Sequence, residues 1–521
     1  MKPQKYSPIT ISMKNCFFVF LLFSIFFIGC KSVPNTVLKD DGIIQFKIIQ
    51  LNDVYEIAPL SGGLYGGMAR VAHIADSVRA VNKNTLLVMA GDFLNPSLLG
   101  TLRHNDERIA GKQMVEVMNA MDFDLVTFGN HEFDLKEADF QKRLNQSNFS
   151  WLSSNVFHKK GDVNTPFEIH QNNQIHPVNN TYQKRFTDSD GTTVSLGFFG
   201  VTIDSNPQSY VYYADYLEAA KNAISSLKQS TDLLLGLTHL TIEQDKTIAE
   251  QLPEVSFIMG GHEHTNMLVE TKNAKIAKAD ANAISIYIHT LTFYKNQNRL
   301  VIDSYLLPID ASIASKPEVK SIVDRWSLIL DTQIKTVVQD PYEIIYLTKV
   351  PLDGTDSASR GIQTNLGNVI AEAMAAAYRY EVDAALVNGG SIRVDDMLSG
   401  SITPIDIFRV LPFGGGVLKV EMTGELLKEV LDYGESKRGT GAYLQRYNFS
   451  QSEKGEWLVS TKPIDPSKTY TIAFSDYLLK GFDIPFLTPE HQGVLSVFTP
   501  EHTSLAGDIR NAIIAFLKNK K

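Results

Sequence analysis

Potential metal ligands stand at the ends of five β-prone segments of the sequence. They are Asp53, Asp92, Asn130 with His131, His239, and His262 with His264. Carboxylate and amide oxygens mixed with imidazoles suit borderline divalent ions such as Zn, Mn or Co, whereas Ca prefers oxygen ligands throughout. One carboxylate shared by two such ions, about 3.5 to 4 Å apart, would let them clamp the attacking and leaving oxygens of a phosphoryl transfer. The residue set therefore predicts a dinuclear hydrolase.

Five apolar runs would position these side chains: IIQFKIIQLND, TLLVMAGD, FDLVTFGN, TDLLLGLTH and VSFIMGGHEH. Helical patterns such as MARVAHIADSVRAV and GKQMVEVMNAM lie between them, and this alternation predicts an α/β layer domain over residues 43–308. A single Asp, Asn or His after a strand is more often a turn or polar-contact residue. Five successive strand ends are different, because the fold brings those ends together at one edge.

The rest of the chain predicts a linker and a second domain, since 521 residues are too many for one core. Residues 309–343 contain EVKSIVDRWSLILDTQIKTV, whose apolar periodicity predicts a helix that bridges the domains. A second globular unit is expected over residues 344–517, with helical patterns in NLGNVIAEAMAAAYR and GELLKEVLDYG.

The net charge of -9 excludes a general affinity for nucleic acid polymers, because their phosphate backbones demand a basic footprint. The hydrophobic fraction of 44% and the charged fraction of 21% are those of an ordinary globular protein. An anionic ligand must therefore be met by local groups, and a small molecule is the expected partner.

The N-terminus, residues 1–30, resembles a bacterial lipoprotein signal peptide. Lys14 precedes the apolar run FFVFLLFSIFFI, which is too short to span a bilayer comfortably. The run ends at FIGC, so Cys30 is the expected lipidation site, and an ordinary secretory signal with an incidental cysteine is the alternative. Cys16 lies within the signal, so the mature chain has no disulfide pair. We expect a monomer anchored by lipid in the bacterial envelope, on the periplasmic or cell-surface side.

The motifs of the first domain resemble the calcineurin-like metallophosphoesterases, specifically the bacterial and extracellular 5′-nucleotidases. They are the aspartate at position 53, GD at 91–92, GNHEFD at 129–134, THL around His239 and GGHEH at 260–264. The resemblance extends from residue 43 to the C-terminus. It implies a four-layer αββα metallophosphoesterase domain followed by an α+β substrate-binding domain.

The resemblance also implies a role for each matched residue. Asp92 would bridge two divalent ions, with Asn130, His239 and His262 completing one site and Asp53 and His264 serving the other. His131 would point at the scissile phosphate, with its imidazole held and charged by Asp134, because a catalytic histidine needs an orienting partner. Glu132 and Phe133 are expected to support the turn.

One position departs from the family pattern, which reads D-x-H at the first strand end. This chain reads Asp53-Val54-Tyr55. A protonated phenol is a poor ligand for Zn or Mn, whereas a phenolate bound to Fe(III) is conceivable. The first ion is therefore expected to be held more weakly or to be of another kind, and the alternative is that Tyr55 only packs over the site.

Four motifs of the second unit are similar to the 5′-nucleotidase C-terminal domain: SRGIQTNLGN, LVNGGSIR, LPFGGG and SDYLLKGFD. Arginines hold phosphate or carboxylate groups bidentately, and aromatic faces stack on bases. The similarity implies substrate contacts from Arg360, Asn388 and Arg393. The base would stack on Phe413 and Tyr477, with Asp483 in the same loop as Tyr477.

Together these features predict a metal-dependent phosphohydrolase that releases phosphate from nucleoside 5′-monophosphates. A 2′,3′-cyclic nucleotide phosphodiesterase or a nucleotide-sugar hydrolase would use the same residues. A non-catalytic nucleotide-binding surface lipoprotein is the alternative from another class. Tyr55 favours that binder, whereas the intact pair of His131 and Asp134 favours the enzyme, since the pair has no obvious value without catalysis.

Overall fold

The computed structural model describes residues 39–205 and 208–520. The signal peptide predicted over residues 1–30, including Cys30, lies outside these residues. In the described part of the chain, no helix combines the length and apolarity needed to cross a membrane.

The first domain contains two six-stranded sheets. In spatial order, the strands of the first sheet are Arg299–Pro308, Ser285–Tyr294, Ile43–Leu51, Thr85–Ala90, Leu125–Thr127 and Ser150–Leu152. Those of the second sheet are Thr181–Thr187, Thr193–Thr202, Leu233–His239, Val255–Gly260, Lys275–Lys278 and Met267–Glu270. The central strands of both sheets run parallel, so their carboxyl ends meet at one edge of each sheet.

Side-chain alternation along the strands builds two apolar layers around the first sheet. In Thr85–Ala90, Leu86 and Val88 face the second sheet, whereas Leu87 and Met89 belong to the core under the helices. The helices on that outer side are Met68–Val81, Leu98–Thr101, Lys112–Ala120 and Glu137–Gln146.

The second sheet is covered on its outer face by two helices, Tyr216–Leu227 and Ile242–Gln251. The layer order is therefore helix, sheet, sheet, helix, which confirms the predicted four-layer α/β fold. The first domain also contains short strands outside the two large sheets, which are Arg103–His104, Glu107–Arg108, Val156–Lys160, Val163–Thr165, Glu168–Gln171, Gln174–Pro177 and Val211–Tyr213.

The predicted bridging helix spans Pro317–Ile334. Its buried stripe, which includes Val323 and Trp326, packs against the helices of the first domain. The Trp326 indole also donates a hydrogen bond of 2.9 Å to Glu116. The helix therefore belongs structurally to the first domain and delivers the chain to the second.

The second domain is built on a five-stranded sheet of mixed direction. Its strands, in spatial order, are Leu444–Tyr447, Ala384–Asn388, Thr469–Ser475, Val417–Thr423 and Val494–Phe498. Helices Asn365–Ala377 and Ile509–Asn519 cover one face and Gly424–Ser436 covers the other. The remaining elements are Tyr346–Asp353, Asp356–Ser359, Met397–Ile402, Pro404–Val410, Phe449–Gln451, Trp457–Val459 and Lys462–Pro463. This arrangement confirms the predicted second α+β unit.

Candidate functional site

The predicted ligands of the first domain converge where the two sheets meet. Asp53, Asp92 and His239 each present a ligand atom within 4.8 Å of the other two. His239 Nε2 lies 3.1 Å from Asp92 Oδ2, and His264 Nε2 lies 3.5 Å from Asp53 Oδ1. The rings of His239 and His262 are 5.4 Å apart. Asn130 directly precedes the turn His131–Asp134 at the same edge.

Glycines and left-handed backbone let these loops approach one another. Asp53, Asp92 and His262 have φ values of 53°, 54° and 83°, a conformation that costs free energy and is retained mostly where function requires it. A Cβ atom on Gly129 would overlap Asp92 Oδ1, and one on Gly261 would overlap the Ala90 carbonyl oxygen. Larger residues at these glycines would push the ligand loops apart.

Hydrogen bonds orient several of the predicted ligand side chains, so that one nitrogen or oxygen of each faces the cluster. His239 Nδ1 lies 2.8 Å from the Ala90 carbonyl oxygen, so it carries the proton and leaves Nε2 facing the cluster. Asp53 Oδ2 accepts hydrogen bonds from Asn52 and from the His262 amide, which leaves Oδ1 facing His264. The buried Asn130 Oδ1 has no hydrogen-bond partner, and Asp53 Oδ1 and His239 Nε2 form no hydrogen bond of good geometry. These residues fit a divalent metal pair.

The carboxylates give the cluster a strong attraction for positive charge. Burial lowers the pKa of His239, but Asp92 and Asp53 more than offset it and raise that pKa to about 9. Burial and the neighbouring His239 instead lower the pKa of His262 to about 4. The negative charge of the carboxylates, which raises the pKa of His239, would also attract a metal cation.

Glu132 ties two ligand loops together. Its buried carboxylate accepts hydrogen bonds from the amides of Asp92, Phe93, Leu94 and Gly129, at 2.9, 2.8, 3.0 and 2.6 Å. The sequence predicted only that Glu132 supports its own turn. The structure adds that the same carboxylate fixes the loop that carries Asp92.

Lys278, which was not predicted from the sequence, connects two further loops that carry predicted ligands. Its fully buried ammonium donates hydrogen bonds to the carbonyls of Leu240, at 2.6 Å, and Gly261, at 2.8 Å. These residues directly follow His239 and directly precede His262. Lys278 also forms ion pairs with Asp245, at 2.8 Å, and with Glu263. No local motif marks this lysine, since its partners come from three separate segments.

The predicted catalytic pair sits on one 3₁₀ turn, His131–Asp134. Residues three apart stack on such a turn, and His131 Nδ1 lies 2.7 Å from Asp134 Oδ2. Burial lowers the pKa of His131, but Asp134 and then Asp92 raise it to about 10. The imidazole is therefore cationic at neutral pH. Phe133 anchors the turn by packing against Phe128.

Arg393 of the second domain reaches this pair. Its Nη2 donates a hydrogen bond of 2.6 Å to Asp134 Oδ2. Arg360 instead pairs with Asp356, at 2.7 Å, within the second domain. Burial raises the pKa of Asp356, and Arg360 and His131 lower it in part. The two arginines thus lie on the side of the second domain that faces the catalytic turn.

Asp395, two residues after Arg393, also enters the cluster and was missed by sequence reasoning. Its Oδ2 lies 3.2 Å from His264 Nε2 and 3.8 Å from His131 Nε2. The only available signal was its proximity to Arg393 in LVNGGSIRVDD.

The predicted base-binding residues form a partial group. Asn388 Nδ2 donates a hydrogen bond of 2.7 Å to Asp483, and the Tyr477 hydroxyl lies 3.5 Å from the same carboxylate. Phe413 belongs to a different loop and is 65% exposed. Phe482 is 69% exposed and tilts against Tyr477, with ring centroids 5.7 Å apart. The structure therefore brings Asn388, Tyr477 and Asp483 together, and the loop of Phe413 adjoins this group, since the Asp476 amide donates a hydrogen bond of 2.9 Å to the Gly416 carbonyl.

Tyr55 occupies the first strand end as a buried phenol. Its hydroxyl lies 3.1 Å from His264 Nε2 and 3.5 Å from Asp92 Oδ2. Burial, followed by Asp92, raises the pKa of Tyr55 well above its ordinary value of 10. These surroundings favour the protonated phenol, and position 55 lacks the imidazole of the family pattern.

Sequence comparison matches both domains to known families. The model of the calcineurin-like phosphoesterase family matches residues 46–266, and that of the 5′-nucleotidase C-terminal domain matches residues 344–488. Human 5′-nucleotidase is 26% identical over 419 residues, covering 73% of this chain and 68% of its own length. The Naja atra snake venom 5′-nucleotidase is 27% identical over 518 residues, covering 85% of this chain and 91% of its own.

A third relative is much longer than this chain. The trifunctional nucleotide phosphoesterase protein YfkN of Bacillus subtilis is 27% identical over 501 residues, which cover 85% of this chain and 32% of YfkN. The present chain therefore spans about a third of that protein.

Solved structures share the fold. The 5′-nucleotidase precursor from Thermus thermophilus superposes with a TM-score of 0.65 at 21% identity, covering 92% of this chain and 97% of that one. The sulfate thiohydrolase SoxB from the same organism gives 0.60 at 14% identity, covering 91% and 94%, so the fold alone does not fix the substrate. The two matched families in this order show that the chain belongs to the 5′-nucleotidase family of metallophosphoesterases and is a hydrolase.

Proposed function

We propose that the protein hydrolyses nucleoside 5′-monophosphates to nucleoside and phosphate. The observation that carries this proposal is the 2.6 Å hydrogen bond from Arg393 to Asp134. It joins the arginine of the nucleotide-binding motif to the carboxylate of the catalytic pair. A phosphate that enters between them meets both the cation of Arg393 and the imidazolium of His131.

The ligand residues divide into two overlapping groups around Asp92. Asn130, His239 and His262 would complete one site with it, and Asp53 and His264 would complete the other. Bound divalent ions supply Lewis-acid activation of water and stabilise charge on the phosphoryl oxygens. From the types of ligand we propose Zn, Mn or Co as these ions. Fe is the alternative, because a Tyr55 phenolate could bind Fe(III).

The residues of the chain supply orientation and positive charge. His131, held by Asp134 at 2.7 Å, directs Nε2 away from that carboxylate and keeps a proton there. This proton stabilises the charge that develops on the phosphoryl group and favours departure of the nucleoside oxygen. Arg393 is the second cation, and its planar guanidinium suits bidentate contact with phosphate.

The second domain would read the nucleoside. Arg360 and Arg393 both act electrostatically on Asp356, and Asp483 accepts a hydrogen bond from the Asn388 amide. Phe413 and Tyr477 offer exposed ring faces for the base. This assignment agrees with the names of the human and snake venom relatives, both 5′-nucleotidases.

A phosphate-release screen tests the proposal. The purified protein is assayed with 5′-, 3′- and 2′,3′-cyclic nucleotides and with nucleotide sugars, each with Mn, Zn, Co and Fe. We expect the highest kcat/KM for a 5′-monophosphate with one of the first three metals. A preference for cyclic nucleotides or nucleotide sugars would contradict the proposed substrate while keeping the hydrolase.

Replacing Phe413 or Tyr477 with alanine should weaken nucleotide hydrolysis selectively. Stacking on an aromatic ring is worth about 1 to 3 kcal/mol per base, so we expect kcat/KM to fall by roughly 5- to 150-fold per ring on nucleotides. A small aryl phosphate, which needs no base stacking, should be hydrolysed at nearly the wild-type rate. Equal losses on both substrates would contradict the stacking role.

We also propose that Cys30 is lipidated and anchors the enzyme in the bacterial envelope. The support is the signal-like sequence that ends at FIGC. Metabolic labelling with a radioactive fatty acid should mark the wild-type protein and not the Cys30→Ser variant. Equal labelling of the two proteins would overturn the assignment.

A further inference from the structure

A carboxylate of the second domain reaches the metal-ligand cluster of the first. Asp395 Oδ2 lies 3.2 Å from His264 Nε2, the atom that would bind the first ion. Its other oxygen accepts a hydrogen bond of 2.6 Å from the Asp356 amide. With φ at 43°, the backbone of Asp395 is left-handed, a conformation that aspartate adopts only at some cost. Two features thus hold this carboxylate towards the cluster.

The distances from His264 Nε2 to its oxygen neighbours are close to those between two ligands of one ion. Three oxygens surround the nitrogen, from Tyr55 at 3.1 Å, Asp395 at 3.2 Å and Asp53 at 3.5 Å. Ligand atoms that each lie about 2.0 to 2.1 Å from a tetrahedral Zn are roughly 3.3 to 3.4 Å from one another. The buried Asp53 Oδ1 also forms no hydrogen bond of good geometry. Asp395 lies outside the group of three residues, Asp53, Asp92 and His239, whose ligand atoms all lie within 4.8 Å of one another, so Asp395 would move inward to join an ion beside it.

Tyr55 leaves this site short of one ligand. A phenol is a weak donor to divalent ions, whereas a carboxylate oxygen suits Mn and Zn and adds negative charge. We propose that Asp395 is a ligand of the first metal ion and replaces the imidazole that the family pattern places where this chain has Tyr55. This inference rests on the metal pair of the proposed function.

The assignment makes the first ion a link between the two domains. The other ligands of the first ion come from the first domain, and Asp395 comes from the second. An ion bound by both domains favours the arrangement in which Asp395 faces His264, and that arrangement raises the affinity for the ion by the same factor. The second site needs no residue of the second domain, so its affinity should not depend on Asp395.

Direct titration of the metal-free protein with Mn²⁺, without substrate, tests the assignment. Free Mn²⁺ is followed by electron paramagnetic resonance. We expect two ions in the wild type. Asp395→Asn should weaken one of them by at least about 10-fold, the lower end of losses seen even for residues that only support a metal ligand.

Two further variants sharpen the result. Asp396→Asn removes the neighbouring charge, which hydrogen-bonds Asn282 rather than a ligand histidine, and should bind both ions normally. Asp395→Gly removes the whole carboxylate from a left-handed position that glycine adopts freely, and should weaken the same ion further. Adding Tyr55→His to Asp395→Asn should restore tight binding, because it returns an imidazole to the first strand end.

The outcomes separate this inference from the proposed function. Two ions bound to Asp395→Asn with wild-type affinity would overturn the role of Asp395 and leave the metal pair intact. Equal weakening by Asp396→Asn would also overturn it, since a general loss of charge would then explain the effect. A wild-type protein that binds fewer than two ions would contradict the metal pair itself and, with it, the inference.

Discussion

His131→Ala lowers the rate of phosphate release by roughly 10²- to 10⁴-fold, the usual contribution of a positioned proton donor, and leaves metal content unchanged. The imidazole lies 2.7 Å from Asp134 and is kept protonated by it. Its loss removes a cation beside the phosphate while every ligand atom stays in place. Turnover is measured with a 5′-mononucleotide and metal content by elemental analysis.

Asp134→Asn tests the other member of the catalytic pair. An amide in the same place keeps the shape of the pair but no longer holds the imidazolium, so the rate should fall and its pH dependence should move to lower pH. The sign follows from the pKa of His131, which is raised by Asp134 in the wild type. Normal turnover in His131→Ala would remove the residue from the mechanism.

Lys278→Met should destabilise the folded protein by about 3 to 5 kcal/mol, the cost of leaving a buried ion pair without one partner. Lys278 and Asp245 are both fully buried, so the aspartate would lose its cation in a place that water does not reach. The free energy of unfolding is measured by urea denaturation of the metal-free protein.

Lys275→Met provides the control on the same strand. That lysine pairs with Glu270, which is 75% exposed, and exposed pairs contribute only about 0 to 1 kcal/mol. Because Lys278 also holds the carbonyls that flank His239 and His262, its loss should weaken metal binding as well. Equal stabilities of the two variants would contradict the structural role of Lys278.

The sequence located the predicted site because the positions of its residues follow from local patterns. Each apolar run ends in a predicted ligand, and parallel strands carry such ends to one edge. The pair of His131 and Asp134 is likewise local, since residues three apart meet on one turn. The departure at Tyr55 was visible for the same reason, because one position within a short motif had changed.

The residues that fix these ligands in space were not readable from the sequence. Lys278 donates to carbonyls 38 and 17 residues away, and Glu132 reaches back to amides 38 to 40 residues earlier. The hydrogen-bond partners of these two side chains cannot be predicted from a motif, because the packing of the two sheets decides where a charged group is buried.

By itself, the sequence determined the layered fold of the first domain and predicted the ligand set and the catalytic pair, because periodicity and short motifs depend on neighbours along the chain. Only the tertiary structure decided which groups of the second domain meet that set. Arg393 contacts Asp134 across 259 residues, and Asp395 faces His264 rather than Arg360. Such contacts depend on the relative orientation of the two domains, and that orientation is set by the packing of surfaces far from either motif.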